Sequence, residues 1–127
     1  MAVKVLIVDD SKLARIVLRR TIASLRPDWE CIEASNGDEA LATLGQERVD
    51  VTIIDYNMPG KNGLELAEAL RERFADMPVA IATANLQDEI ISGARRAQAT
   101  FIAKPVNEDS LRGFLSGAQL KLGSSRT

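Results

Sequence analysis

Four hydrophobic runs in this 127-residue chain each end on a residue able to handle a cation or a phosphoryl group. Val5-Leu6-Ile7-Val8 runs into Asp9-Asp10, Val51-Thr52-Ile53-Ile54 into Asp55, Val79-Ala80-Ile81-Ala82 into Thr83, and Thr100-Phe101-Ile102-Ala103 into Lys104-Pro105. Short apolar runs without polar alternation read as strands buried on both faces of a parallel sheet, and ligands of such sheets sit outside the carboxyl ends of the strands. Three carboxylates, a hydroxyl and an ammonium then meet on one edge. Oxygen-rich ligation of this kind suits Mg²⁺ or Mn²⁺. Crowded carboxylates raise one another's proton affinity, so the group is strained until a cation arrives. Each residue alone has an ordinary explanation: Asp9-Asp10 could cap a helix, Asp55 could be a solvated loop carboxylate and Lys104 a surface charge. Four such coincidences at four strand ends argue for a site.

The elements that would position these residues alternate strictly. A strand near 3–8 is followed by a helical pattern from Ser11 to about Leu25, on which Ala14, Leu18, Ile22 and Leu25 recur at helical spacing, with Pro27 beyond. Trp29 to Ala34 reads as a second strand, and Ser35-Asn36-Gly37-Asp38 as a turn into a helix bearing Ala40, Leu41 and Leu44. A strand at 50–55 precedes a loop of turn formers, Tyr56 to Gly63, and a helix with Leu64, Leu66, Ala67, Leu70 and Phe74. After the strand opened by Pro78, Asn85 is predicted to cap a helix at 86–98. Asn107, Glu108 and Asp109 start a last helix with the stripe Leu111, Phe114, Leu115, Ala118 and Leu122. Five strands alternating with five helices over short connections imply right-handed crossovers and an open doubly wound α/β sheet rather than a barrel. Gly93, Gly113 and Gly117 fall inside predicted helices at about 1 kcal/mol each relative to Ala, so packing must hold those helices. Residues 1–122 read as one domain and 123–127 as a flexible tail.

Composition narrows the function classes. With 46% hydrophobic residues the chain suits one domain with a real core. A net charge of −2 provides no field to draw it onto nucleic acid or an anionic membrane. No apolar stretch nears the roughly 18–20 residues that span a bilayer, and the amino-terminal residues read as a strand rather than a secretion signal. The expectation is a cytoplasmic protein. A single cysteine, Cys31, excludes an internal disulfide, and the lack of histidine removes the usual metal ligand and general base.

The Asp9-Asp10 pair, the run Asp55-Tyr56-Asn57-Met58-Pro59-Gly60-Lys61-Asn62-Gly63, the Thr83-Ala84 pair and Lys104-Pro105 resemble the receiver domain of two-component response regulators, in its CheY-like single-domain form. The likeness spans about residues 3–121. It implies a flavodoxin/CheY-like fold with strand order 2-1-3-4-5, and it implies roles residue by residue. Asp55 is then the phosphoryl acceptor. Asp9, Asp10, Asp55 and the backbone carbonyl of Asn57 hold Mg²⁺, and Lys104 and Thr83 attend the phosphoryl group. Pro105 follows a cis peptide bond, Phe101 is the switch aromatic acting with Thr83, and Asn57 and Asn85 tune the lifetime of the phosphorylated state. Phe101 lacks the hydroxyl of a tyrosine, so any switching there works by volume. A plain core role for Phe101 is the alternative.

The implied partners are a sensor histidine kinase or phosphotransfer protein upstream and a protein target on the face formed by residues 86–120. No direct nucleic-acid or membrane contact is expected, and the chain should be a monomer or weak dimer. A Mg²⁺-dependent phosphatase of the haloacid dehalogenase type also uses a strand-end Asp nucleophile, but needs a second Asp two residues on for proton shuttling. Asn57 stands there. A flavodoxin-type flavin carrier needs a phosphate-cradling loop after the first strand, where Asp9-Asp10 would repel the phosphate. Messenger, phosphoryl relay, or one part of a longer regulator all remain open as outputs.

Overall fold

The computed structural model describes residues 2–125. In chain order the elements are β1 (Lys4–Val8), α1 (Lys12–Leu25), β2 (Glu30–Ala34), α2 (Gly37–Gln46), β3 (Val51–Asp55), α3 (Gly63–Arg73), β4 (Val79–Thr83), α4 (Asp88–Arg96), β5 (Thr100–Ala103) and α5 (Glu108–Ser125). All strand pairs are parallel and the sheet order is β2-β1-β3-β4-β5. This is the doubly wound fold that the alternation of runs predicts.

The unbroken apolar runs become strands because both sheet faces are covered. Successive side chains of a strand point to opposite faces. Leu6, Val8, Ile54 and Ile81 pack with Ala40, Leu44, Leu66, Leu70 and Ala94 of α2, α3 and α4. Val5, Ile7, Ile53 and Ala80 pack with Leu18, Ile22, Leu111 and Leu115 of α1 and α5. Each fully buried Leu or Ile contributes about 1.5–3 kcal/mol, which outweighs the poor helix propensity of Gly113 and Gly117 in α5. Trp29 lies buried in the α1/α5 layer with the Arg26 guanidinium 5.7 Å over its ring, just before the β2 residue that pairs with Lys4. It therefore sits at the edge opposite Asp9.

Local polar residues set the helix starts. Ser11 Oγ accepts from Ala14 N at 3.2 Å, and Asn36 Oδ1 from Glu39 N at 2.8 Å. Asn62 and Glu65 form a reciprocal capping box, and Asn107 Oδ1 accepts from Ser110 N at 2.9 Å. Asn85 does not cap α4 as expected. Its side-chain oxygen accepts from Gln87 N at 3.1 Å, closing a local Asx turn, and Gln87 occupies the N-cap with no side-chain bond. Short Asn side chains compete for nearby amides in this way. The helix also stops at Arg96 rather than 98, where Gln98 adopts φ +56°. The predicted tail begins helical instead, since α5 continues to Ser125 and one Gly does not stop an established helix. Arg126 and Thr127 lie outside the described residues.

The two ends of α4 are held unequally. Arg71 of α3 donates to the carbonyls of Ala97 and Gln98 after α4 and to those of Phe74, Ala75 and Met77. This guanidinium clamps the carboxyl end, while the amino end has no side-chain cap. Of Gly93, Gly113 and Gly117, Gly93 alone has a packing reason: a Cβ there would lie 2.4 Å from Leu64 Cδ2. At Gly113 and Gly117 a Cβ would meet nothing within 4 Å.

Candidate functional site

Strand register brings the singled-out residues together. Val8 pairs with Ile54, Asp55 with Ala82, and Thr83 with Ala103, so Asp9, Asp55, Thr83 and Lys104 emerge side by side at the carboxyl ends. Asp9, Asp55 and Thr83 are buried, while Asp10 is exposed. Carboxylate oxygens of Asp9, Asp10 and Asp55 all lie within 4.8 Å of one another. An octahedral Mg²⁺ with bonds of about 2.1 Å separates its ligands by about 3 Å when adjacent and about 4 Å when opposite. The donor set therefore fits a single hard dication.

Lys104 Nζ stands 2.6 Å from Asp55 Oδ1 and 3.9 Å from Asp9 Oδ2. The closer ion pair is not directed as a hydrogen bond, so the buried Asp55 Oδ1 has no hydrogen-bond donor among the described residues. The Lys104 ammonium therefore compensates the buried carboxylate as an ion pair. One ammonium faces three carboxylates. Burial raises the pKa of Asp9 above its ordinary value; the Ser11 amide opposes this, Asp55 adds to it, Lys104 opposes and Asp10 adds. The crowding inferred from sequence is present at Asp9, but desolvation is the larger cause.

The capping alternative for the acidic pair is resolved by the hydrogen bonds. Ser11, not Asp10, caps α1, while Asp9 Oδ1 accepts from Ser11 N at 2.9 Å. Only Asp9 Oδ2 is left toward Lys104. The loop after β3 is shaped by two glycines. Gly60 has φ +78°, and Gly63 lies so close to β3 that a Cβ would sit 2.7 Å from the Asp55 carbonyl oxygen and 2.8 Å from Tyr56 Cα. No side chain could yield there. Asn57 and Asn85 are both exposed beside this edge.

Thr83 Oγ1 accepts from Asn85 N at 3.0 Å, which leaves its proton free for another acceptor. Thr83 O accepts from Lys104 N at 3.0 Å, tying β4 to β5. The Lys104–Pro105 peptide bond is cis. Phe101, paired with Ile81, is half-buried.

Sequence reasoning missed Arg15, Glu33 and Gly63's steric role. Arg15 Nη1 donates to the Asp9 carbonyl at 2.6 Å and Nε to Glu33 Oε1 at 2.9 Å. Arg19, one turn further along α1, pairs with Glu33 Oε2 at 2.8 Å. Burial pushes the Glu33 carboxyl up, but the Arg15 and Arg19 guanidiniums more than offset it and hold the value below the ordinary range. A carboxylate inside a strand bordering the first helix was the available signal. Cys31 is half-buried with its thiol pushed up by burial, partly opposed by Arg19, so nothing activates it.

A strand-end acidic triad with an opposing lysine, on a 2-1-3-4-5 parallel sheet, defines a receiver-type site. The chain belongs to the response regulator receiver domain family, whose model matches residues 5–116. It is 35% identical over 113 residues to a chemotaxis protein CheY homolog of Campylobacter jejuni, covering 86% of each chain. It is 38% identical over 117 residues to the positive alginate biosynthesis regulatory protein of Pseudomonas aeruginosa, covering 90% of this chain and 46% of that one. Among solved structures, the Vibrio cholerae chemotaxis protein CheY4 superposes with TM-score 0.84 at 31% identity, covering 93% of this chain and 99% of that one. The Thermotoga maritima response regulator TrrA, in complex with Mg(2+)-BeF, gives TM-score 0.80 at 28% identity, covering 91% and 98%. The chain is thus a phosphorylation-dependent signalling domain, and the haloacid dehalogenase alternative gains no support from these relatives. No helix among the described residues is long and apolar enough to cross a membrane.

Proposed function

We propose that Asp55 is the phosphoryl acceptor of this receiver and that its phosphorylation by a sensor histidine kinase or phosphotransfer protein switches the α4-β5-α5 face. The observation that carries the reading is the buried Asp55 carboxylate at the end of β3, with Oδ1 2.6 Å from the Lys104 ammonium and the Asp9 and Asp10 carboxylates beside it. One Asp55 oxygen attacks the phosphorus of a phosphoimidazole; the P–O bond forms as the P–N bond breaks, and the imidazole leaves with the bonding pair. Asp9, Asp10, Asp55 and the Asn57 carbonyl are the residues to hold Mg²⁺, whose charge offsets that of the equatorial oxygens. Lys104 exchanges its pairing with the carboxylate for one with the phosphoryl group, and the Thr83 hydroxyl donates to a phosphoryl oxygen.

Movement of Thr83 opens space beside β5, into which half-buried Phe101 can turn. The uncapped amino end of α4 can follow while Arg71 holds its carboxyl end. A protein target reads this face, residues 86–120, in the cytoplasm, with the receiver acting as a monomer or weak dimer. Asn57 supplies an amide that can orient a water for self-catalysed loss of the phosphoryl group, but no carboxylic acid to speed it. Incubation with acetyl phosphate and Mg²⁺ tests the reading: the mass should rise by one phosphoryl group, and Asp55→Asn should show no rise. An equal gain in the variant would overturn the assignment.

A further inference from the structure

Residue 9 is pinned at three points, and a guanidinium outside the acidic group supplies one of them. Asp9 N donates to Ala34 O at 3.1 Å, Asp9 Oδ1 accepts from Ser11 N at 2.9 Å, and Asp9 O accepts from Arg15 Nη1 at 2.6 Å. The Arg15 side chain is only 15% exposed, and Glu33 Oε1 holds its Nε at 2.9 Å. Arg19 takes the other Glu33 oxygen at 2.8 Å. Among the described residues the Arg15 side chain bonds to Glu33 and the Asp9 carbonyl, not to the carboxylates of Asp9, Asp10 or Asp55. Glu33 occupies it instead, so a cation beside an acidic site does not compete there with a metal.

We propose that Arg15, locked by Glu33, is a positioning residue: it fixes the peptide plane between Asp9 and Asp10 and thereby sets the affinity of the acidic site for its divalent cation. The inference rests on the Mg²⁺ site of the preceding reading. Peptide planarity is the physical link, because holding the Asp9 carbonyl also fixes the direction of the Asp10 N–H and the start of its side chain. Asp10 is the exposed member of the triad and has the most orientational freedom to lose. Groups that orient metal ligands from behind typically change metal affinity about 10- to 100-fold when removed.

The sign of the effect separates positioning from plain electrostatics. Removing a cation near a dication site should tighten Mg²⁺ binding by Coulomb's law. Loss of positioning should weaken it. The test is calorimetric titration of Mg²⁺ into the full chain, parent against Arg15→Met, which keeps the apolar stem and leaves Glu33 paired with Arg19. About a tenfold weaker dissociation constant is expected, together with faster amide exchange at Asp10 and Ser11 and a nearly unchanged metal-free melting temperature. Arg15→Lys retains the charge but not the fork, and should fall between the two. Should Arg15→Met fail to fold, Arg15→Lys decides alone, parent affinity in it overturning the proposal. Unchanged or tighter binding by folded Arg15→Met overturns the inference while leaving the acceptor reading intact; a parent that takes up no Mg²⁺ overturns both.

Discussion

Replacing Asp9 with Asn should raise the melting temperature of the metal-free protein, although it removes a buried charge that has a cationic neighbour. The Asp9 carboxylate shares a 4.8 Å cluster with two others and lies 3.9 Å from one ammonium. At an effective dielectric of about 20 each such pair amounts to about 3–4 kcal/mol, so two repulsions against one attraction leave a net penalty of similar size. Exposure of Asp10 screens its share, and the Ser11 N–H favours the charged form of Asp9. About 1–2 kcal/mol of destabilisation remains, equivalent to about 3–8 °C in melting temperature for a domain of this size. The Asn oxygen can keep the bond from Ser11. Calorimetric melts with and without Mg²⁺ provide the assay. Excess Mg²⁺ at a hundredfold over its dissociation constant should stabilise the parent by about 2.7 kcal/mol, and the variant should lose most of that gain. The pH profile has a definite sign. Because Asp9 titrates above its ordinary 3.8 in the folded protein, the native state binds the extra proton, and stability falls as pH rises from that value through the raised one. Glu33, held low, contributes in the opposite sense and loses its contribution on acidification, so the parent-minus-variant difference is the quantity to follow. A metal-free Asp9→Asn protein that melts at or below the parent would refute the reasoning, showing that Lys104 and Ser11 already compensate the carboxylate.

Glycine substitutions should divide by their surroundings: Gly117→Ala, with open space around its Cβ, should gain about 0.5–1 kcal/mol in urea melts, whereas Gly63→Ala, against the Asp55 backbone, should lose more than about 2 kcal/mol. A stabilised Gly63→Ala would mean that the loop after β3 gives way easily. Phe101→Ala should accept phosphate nearly as the parent does yet lose the difference in amide exchange over α4 and β5 that beryllofluoride produces; identical exchange in the parent with and without beryllofluoride would end the switch proposal. Asn85, exposed beside the site, leaves the approach of water open, so Asn85→Arg should slow phosphate release up to about tenfold, equivalent to about 1.4 kcal/mol. Release at the parent rate would place control of access in another part of the edge.

The strands were legible because β1, β3 and β4 are buried on both faces and so carry uninterrupted apolar runs. The site was legible for a related reason, since in a parallel sheet the first polar residue after each run must emerge at the same edge. What remained hidden depends on contacts between distant segments. Arg15 and Arg19 have the sequence appearance of solvated helix charges, and only the placement of β2 beside α1 supplies Glu33. Gly63 reads as one turn former among several until the return of α3 onto β3 leaves no room for a Cβ. Asn85 has the composition of a cap, but its side chain closes a turn two residues on, a choice between nearby amides that composition does not decide.

The most direct test is chemical location of the phosphoryl group. After reaction with acetyl phosphate and Mg²⁺, borohydride reduces an acyl phosphate at the carbonyl carbon, releasing phosphate and leaving the alcohol homoserine in place of aspartate. Peptide mass spectrometry should then find homoserine at position 55, with Asp9 and Asp10 intact and no conversion in Asp55→Asn. Conversion at Asp9 or Asp10 in the parent, with Asp55 untouched, would contradict the role assigned to the buried carboxylate facing Lys104.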